Sequence, residues 1–564
     1  MSARPLPITA LSQPHRGWLY ATAGMLAVVS SATGLSNGFA LDDLAIVVDN
    51  SRVHSLDHWA RLFALPYWPP QYGASLYRPV VTLGYALQWS AGGGSPWVFH
   101  LCSILVYAGL CVVMLALLLE MLRPIPAMVA ASLFAVHPVH VEAVANVVGQ
   151  SELLAALAVV GSCVVYIRAR RTGALGAVAI VSIAVLYGIA VLCKEHALLL
   201  PVLLAAIEWF VVDAAPSPRW HGLGQRVRAM TPLFASLLVI AAVYFTARTV
   251  VVGELLGEKH LVPVYGVRRL WAMLVVVPHW VRLLAWPAHL SAEYSPRQIE
   301  IPTDPGLEIA LGSVILLASA AAFVSLGRGT DTTRAERSVA QLGLGWLAVT
   351  LLPVSNLFSV MLVAERTLLL PSVGAVLVMG AVVSWATRSS ARARAGIGIR
   401  AVLAAIMAVL VLAGAIRSRE RQRVWRDNAT LFAQTAEDAP RSYRAQFFYG
   451  QILFDQGRRA EGERRLRLAI LLNPTPSDVS PVNYLATMYR DAGLCPQALP
   501  LYEQALANDA ARPDVRYGLA ACLMATGRVD EARRLAQDGV RRGDLKSLFI
   551  QLIARSDSLL ARGS

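Results

Sequence analysis

Long apolar runs separated by short polar stretches fill the chain up to about residue 417, where a helical repeat takes over. A bilayer crossing needs about 20 predominantly apolar residues. Runs of that kind lie near 17–38, 98–120, 126–145, 152–167, 174–193, 197–213, 231–251, 306–326, 339–357, 368–387 and 399–417. They predict about eleven membrane helices. The stretch from Arg268 to Trp286 is also apolar enough to embed, but a full crossing there would invert every later loop, so it is read as interfacial or re-entrant.

After Arg417 the pattern becomes charged, rich in Ala and Leu, and repetitive. Units at 443–474, 479–510 and 513–544 share a period of about 34 residues, the spacing of tetratricopeptide helix pairs. They align on a small residue at the eighth place (Gly450, Ala486, Ala520), Gly at the fifteenth (Gly457, Gly493, Gly527) and a small residue at the twentieth (Gly462, Ala498, Ala532). The first unit has Gly462 where the pattern usually has Ala. Trp425 to Ala439 is expected to form a linking helix. The predicted fold is all-α: a polytopic membrane bundle over 1–417 and a repeat solenoid over 418–564.

Composition fits that picture. Of 564 residues, 56% are apolar and 15% charged, and the mean hydropathy is +0.53, too apolar for an ordinary soluble enzyme. The net charge of +14 is mainly a topology signal. Arg4 with Arg16, Arg123, Arg168 with Arg170 and Arg171, Arg219 with Arg226 and Arg228, Arg328 with Arg334 and Arg337, and Arg388 with Arg392, Arg394 and Arg400 fall in alternate loops. Basic loops stay cytoplasmic, so the repeats are expected on the far side. The charge gives no reason to expect a nucleic-acid partner. The first apolar run is long for a signal core and is read as an uncleaved anchor. Arginine far outnumbers lysine (Lys194, Lys259 and Lys546), which points to a GC-rich bacterial genome. The expected location is a bacterial inner membrane with periplasmic repeats, or the ER membrane with lumenal repeats in a eukaryote. The six cysteines make no framework. Cys495 and Cys522 are expected as single buried thiols, with a bridge as the alternative in an oxidising compartment.

Ionisable residues beside membrane spans are costly unless they face one another, a ligand or a wet cavity. The stretch from Phe134 to Leu154 holds His137, His140, Glu142, Gln150 and Glu152 between hydrophobic segments. Asp42 and Asp43 follow the first span, and adjacent carboxylates can supply a general base and a group that positions it; a solvated loop start is the plainer reading. Arg78, Lys194 and Arg366 map with Asp42, Asp43, Glu142 and Glu152 to the same face under one topology, and Lys194-Glu195-His196 and Glu365-Arg366 at span ends are read as mutual ion pairs or ligand contacts. His137-x-x-His140 lacks the spacing of a zinc helix motif, so no metal is expected.

These residues occur in a recognisable order. Asp42-Asp43, Tyr77-Arg78-Pro79, Phe99-His100, the tract from Val136 to Val144, Gly149-Gln150-Ser151-Glu152, Lys194-Glu195, the tract from Leu290 to Ser295, Leu352 to Phe358 and Ala364 to Ser372 together resemble the transmembrane and tetratricopeptide repeat-containing proteins. The resemblance covers nearly the whole chain. It implies a GT-C-like glycosyltransferase that moves a sugar, mannose above others, from a polyprenyl-phosphate donor to Ser or Thr of proteins. Asp43, with Asp42 as the alternative, would be the general base. Arg78, Arg366 and Lys194 would contact the donor phosphate. His137, His140, Glu142, Gln150, Glu152, Glu195 and Glu365 would shape the sugar or acceptor pocket, and the repeats would recruit the acceptor protein. The family usually has Arg at Gln150 and often Asp at Glu293. A membrane-anchored scaffold or folding factor without catalysis is the competing reading.

Overall fold

A computed structural model describes residues 13–73, 75–173, 175–212, 223–254, 264–295, 297–328, 334–357, 362–392, 397–475, 478–543 and 545–563. Arg4, Arg219, Arg394, Lys259 and Phe358 lie outside them. The described residues are helical with no strand. They fall into two compact units, one of Met1–Ala292 with Ile301–Leu431, the other of Glu293–Glu300 with Phe432–Ser564.

In the first unit, nine helices among the described residues are long and apolar enough to cross a bilayer. The bent pair Pro124–Ala135 and Pro138–Ala145 makes a tenth candidate. The helix Ala177–Cys193 is apolar but has only 17 residues, close to the lower limit for a span. Each of the eleven predicted runs falls on one of these segments, and the protein is a multi-pass membrane protein. The final span continues past the predicted end to Val424. Trp425 and Leu431 then bury against Ala40, Val141 and Ala145, which keeps the start of the linking helix with the first unit. The stretch from Arg268 to Trp286 forms the helix Val267–Ala285. It is absent from the candidate spans, since Arg268, Arg269 and Arg282 interrupt its apolar face.

The first unit's core is lined with small side chains. Ala23, Ala27, Ala127, Ala130 and Ala131 are fully buried, as expected where close backbone approach replaces the hydrophobic drive available in water.

The second unit contains the expected helix pairs: Tyr443–Asp455 with Arg459–Leu472, Ser480–Asp491 with Cys495–Asn508, and Pro513–Ala525 with Val529–Arg542. Gly457, Gly493 and Gly527 take φ of 81°, 76° and 83° at the turns, the left-handed region that disfavours a side chain. Gly450 and Gly462 meet where the first two helices touch. A Cβ on Gly462 would lie 2.8 Å from the Gly450 carbonyl oxygen, which accounts for the glycine found where the repeat pattern has Ala. The expectation of two single thiols is corrected: Cys495 and Cys522 are joined in a disulfide with their Cα atoms 5.0 Å apart. The pattern had placed each cysteine in its own repeat and so hid that the helix starting at Cys495 packs against the one carrying Cys522.

Candidate functional site

The chain leaves its first span through a short 3-10 turn, Ala32–Ser36, and is pinned at once. Asn37 Nδ2 donates to the Gln422 carbonyl (2.8 Å), Gly38 N–H to that of Arg426 (2.8 Å), and Leu41 N–H to Asn428 Oδ1 (2.7 Å). Leu41 sits at φ 55°, a conformation this network holds in place. The pinned turn sends the two aspartates in different directions. Asp43 is fully buried and accepts backbone N–H groups from Ala40 (3.3 Å), Val147 (3.2 Å) and Val148 (2.9 Å). Burial pushes its carboxyl up to about 7, against these three hydrogen bonds, and the neighbouring Asp42 adds to the rise. Asp42 keeps 30% of its side chain exposed, with Oδ2 3.8 Å from Arg366 Nη2.

Pro138 breaks the helix Pro124–Ala135, because it has no N–H and disfavours helical backbone before it. The chain bends by 46° and restarts, which carries Glu142 inward. Glu142 holds Arg366 twice: Oε1 accepts from Nη1 (2.7 Å) and Oε2 from the Arg366 backbone N–H (2.9 Å).

Lys194 has extended backbone, so the helix Ala177–Cys193 ends there and Glu195 begins a new turn. Glu195 accepts from Arg78 Nη2 at 2.8 Å and lies 3.5 Å from Arg248 Nη1. The Arg78 guanidinium also lies 5.1 Å from the centre of the Tyr67 ring. Beside this group, Glu152 faces Lys194 Nζ at 2.6 Å and His196 Nδ1 at 3.3 Å. Asp42, Arg78, Glu142, Glu152, Lys194, Glu195 and Arg366 thus form neighbouring ion pairs within one unit.

The remaining predicted residues act as struts. His140 accepts or donates between the Tyr107 hydroxyl (2.9 Å) and Ser372 Oγ (2.9 Å). His137 is 3.1 Å from the Leu284 carbonyl and accepts from Val139 N–H at 3.3 Å. Gln150 is buried against Gln88, Ser103 and the Phe99 carbonyl. Glu365 accepts from Ser291 N–H at 2.6 Å. Among the described residues no three of His, Cys, Asp and Glu converge in a group that could hold a metal ion.

Sequence reasoning missed Arg248. It is 5% exposed within the span Val227–Val252. The available signal was a single arginine inside an otherwise apolar run, which in a membrane defaults to a functional residue.

The motifs quoted above therefore meet in space: Asp42 with Arg366, Arg78 with Glu195, Glu152 with Lys194, His140 with Ser372 and Ser291 with Glu365. Known proteins share similarity with this chain. Residues 489–555 match a tetratricopeptide repeat model. The chain is 26% identical over 493 residues to human protein O-mannosyl-transferase TMTC4, covering 78% of this chain and 64% of that protein. It is 27% identical over 425 residues to mouse protein O-mannosyl-transferase TMTC3, covering 70% and 44%. The Drosophila melanogaster protein O-mannosyl-transferase Tmtc2 is 34% identical over 188 residues, covering 31% and 20%. The chain thus spans less than two thirds of the length of these relatives. A crystal structure of an Archaeoglobus fulgidus oligosaccharyltransferase tethered to an acceptor peptide aligns with a TM-score of 0.41 at 13% identity, covering 82% of this chain and 60% of that one. Over most of its length the chain is therefore similar to proteins named protein O-mannosyl-transferase TMTC, and its C-terminal part carries tetratricopeptide repeats.

Proposed function

We propose that the protein is a GT-C-like glycosyltransferase that moves a sugar, mannose by analogy with its named relatives, from a polyprenyl-phosphate donor to Ser or Thr hydroxyls of proteins on the extracytoplasmic face. The observation that carries this reading is the pairing of a partly exposed carboxylate, Asp42, with Arg366 beside a largely enclosed group of cations at the ends of membrane helices. Asp42 is the base in this reading because it is reachable, while Asp43 is enclosed by backbone donors and fixes the loop that carries Asp42.

The acceptor oxygen attacks the anomeric carbon as its proton passes to Asp42. The bond from that carbon to the phosphate oxygen breaks, and the polyprenyl phosphate leaves with the electron pair. Arg78, Lys194 and Arg366 offset the added charge, with no metal invoked; guanidinium groups suit phosphate oxygens in a bidentate manner. Glu142, Glu152 and Glu195 hold those cations in position. The repeats recruit the acceptor protein, and a 530 Å³ cavity lined by Phe447, Asn483, Tyr484, Arg490 and Tyr517 is available for an extended segment.

The deciding experiment measures sugar transfer from a panel of polyprenyl-phosphate sugars to membrane proteins, comparing the native chain with Asp42→Asn and Asp43→Asn. Asp42→Asn should lower transfer by roughly 10²–10⁴-fold, the usual contribution of a general base. Full activity in Asp42→Asn would remove the base assignment. No transfer from any donor by the native chain would favour the scaffold reading.

A further inference from the structure

The turn that presents Asp42 is built against its own backbone preference. Leu41 takes φ 55°, the left-handed region that a residue with a Cβ disfavours and that glycine enters freely. A return to the ordinary negative range would turn the chain about the Leu41 N–Cα bond by roughly 100° or more. Asp42 is the next residue, so its carboxylate would lose its place 3.8 Å from Arg366 Nη2. Such a conformation persists only where the surroundings over-determine it.

The surroundings that do so come from the far end of the first unit. At the end of the final span and just past it, residues 422–428 hold residues 37–41 by three hydrogen bonds. Two of the acceptors are backbone carbonyls, those of Gln422 and Arg426. The third is a side chain: Asn428 Oδ1 accepts from the Leu41 N–H at 2.7 Å, at the left-handed residue itself. Asn428 is fixed in turn. It opens the helix Asn428–Asp438, and the preceding Asp427 caps that helix, with Oδ1 accepting from Thr430 N–H at 2.8 Å and the carbonyl from Leu431 N–H at 2.9 Å. Trp425 and Leu431, on either side of Asn428, are buried together with Ala40, the residue before Leu41. A leucine gives this turn no conformational help, and an acceptor 387 residues away supplies it.

We infer that Asn428 is a positioning residue for the proposed base: by holding the Leu41 N–H it keeps Leu41 left-handed and Asp42 aimed at the acceptor hydroxyl beside Arg366. The inference rests on the glycosyltransferase reading with Asp42 as its base.

The test measures transfer by the full chain in membranes from polyprenyl-phosphate mannose and the other sugars of the panel. Asn428→Ala should lower kcat by roughly 10–100-fold, the cost of a small misplacement of a catalytic group. The donor KM should change less, because Arg78 and Lys194 are held on other segments by Glu195 and Glu152. Asn428→Asp keeps an oxygen in the same place and should recover most of the rate. It also abolishes the sequence Asn428-Ala429-Thr430, which has the form of a glycosylation acceptor, so recovery assigns the effect to the hydrogen bond rather than to an attached glycan. In a Leu41→Gly background the loss from Asn428→Ala should shrink several-fold, since glycine takes the left-handed conformation unaided. Hydrogen exchange at Leu41 should quicken in Asn428→Ala and stay slow in Asn428→Asp.

Native kcat in a folded Asn428→Ala variant, no recovery in Asn428→Asp, or an equal loss with and without Leu41→Gly would each overturn the inference, while transfer by the native chain would leave the glycosyltransferase reading standing. If Asn428→Ala fails to fold, Asn428→Asp and the native chain decide: near-native kcat with slow exchange at Leu41 upholds the inference, and exchange at Leu41 as fast as in an exposed loop overturns it. No transfer by the native chain from any donor would remove the glycosyltransferase reading and this role with it.

Discussion

The repeat helices and the candidate site of the membrane unit treat charge differently. On the repeat helices many ion pairs are local and exposed, as in Arg458 with Glu461 (2.6 Å), Arg528 with Glu531 (2.7 Å) and Arg467 with Glu463 (2.8 Å), spaced three or four residues apart on one helix. At the candidate site of the membrane unit, pairs join distant segments and are largely enclosed: Arg366 with Glu142 across 224 residues and Arg78 with Glu195 across 117. Exposed pairs on a helix add little, since water and salt screen them. Removing one partner of an enclosed pair strands a charge, a loss several times larger than the pair is worth. The membrane unit therefore holds its charges where their removal is costly, as expected of a site built to meet a charged ligand.

The sharpest way to break this contrast is Glu142→Gln, which leaves Arg366 without its main counter-charge. Destabilisation of about 3–5 kcal/mol is expected, measured as a fall in melting temperature of the detergent-solubilised chain. Removing both partners, Glu142→Gln with Arg366→Met, should recover part of the loss. A double variant no better than the single would show that the pair is not what holds these segments.

Asp43 tests the same region through pH. Its folded carboxyl is raised from the ordinary 3.8 to about 7, so the folded chain binds a proton more tightly than the unfolded one. Stability from that group is complete below about pH 4, falls as pH rises and is gone above about pH 7. The melting temperature of the native chain minus that of Asp43→Asn should therefore decline from pH 4 to 7 and then level off. A difference that rises over this window would contradict the burial of the carboxyl.

This contrast also sets what could be read from the sequence. The repeats were legible because their signal is local: a period, turn glycines and small residues at fixed places. Even Gly462, a departure from the pattern, follows from contact with Gly450 twelve residues away. The eleven apolar runs were legible for a similar reason, since each span carries its own hydropathy. The site was legible only as an inventory. Nothing in the sequence near Arg366 says that Glu142 is its partner, and nothing near Asp43 says that Val147 and Val148 hold it. Family order supplied the residues, whereas partners and exposure required coordinates. Arg248 escaped because an apolar run absorbed it, and the difference between Asp42 and Asp43 escaped because adjacency in sequence hides opposite orientation.

Gly462→Ala sharpens the comparison from the repeat side. Helix propensity alone would favour Ala by about 1 kcal/mol. The Gly450 carbonyl at 2.8 Å from the new Cβ opposes it, and the net result should be a loss of about 1–3 kcal/mol from overpacking. Hydrogen exchange of the full chain should show it as faster opening confined to the first repeat. Slower exchange there would mean that the helices can separate without cost.

The smallest effect is expected at Arg467→Ala. Arg467 pairs with Glu463 at 2.8 Å and donates to the Tyr489 hydroxyl at 2.7 Å, but more than half of its side chain is in solvent. Glu463 keeps the Tyr489 hydroxyl as a donor at 2.6 Å after the change, so no buried group is stranded. The loss should stay within about 0.5 kcal/mol, because an exposed pair of this spacing also gives up side-chain entropy to hold its geometry. Raising the salt concentration should shrink even that difference. A penalty matching that of Glu142→Gln would show that the contrast between the units is not one of burial, since the two pairs have nearly the same length and differ in how far water reaches them.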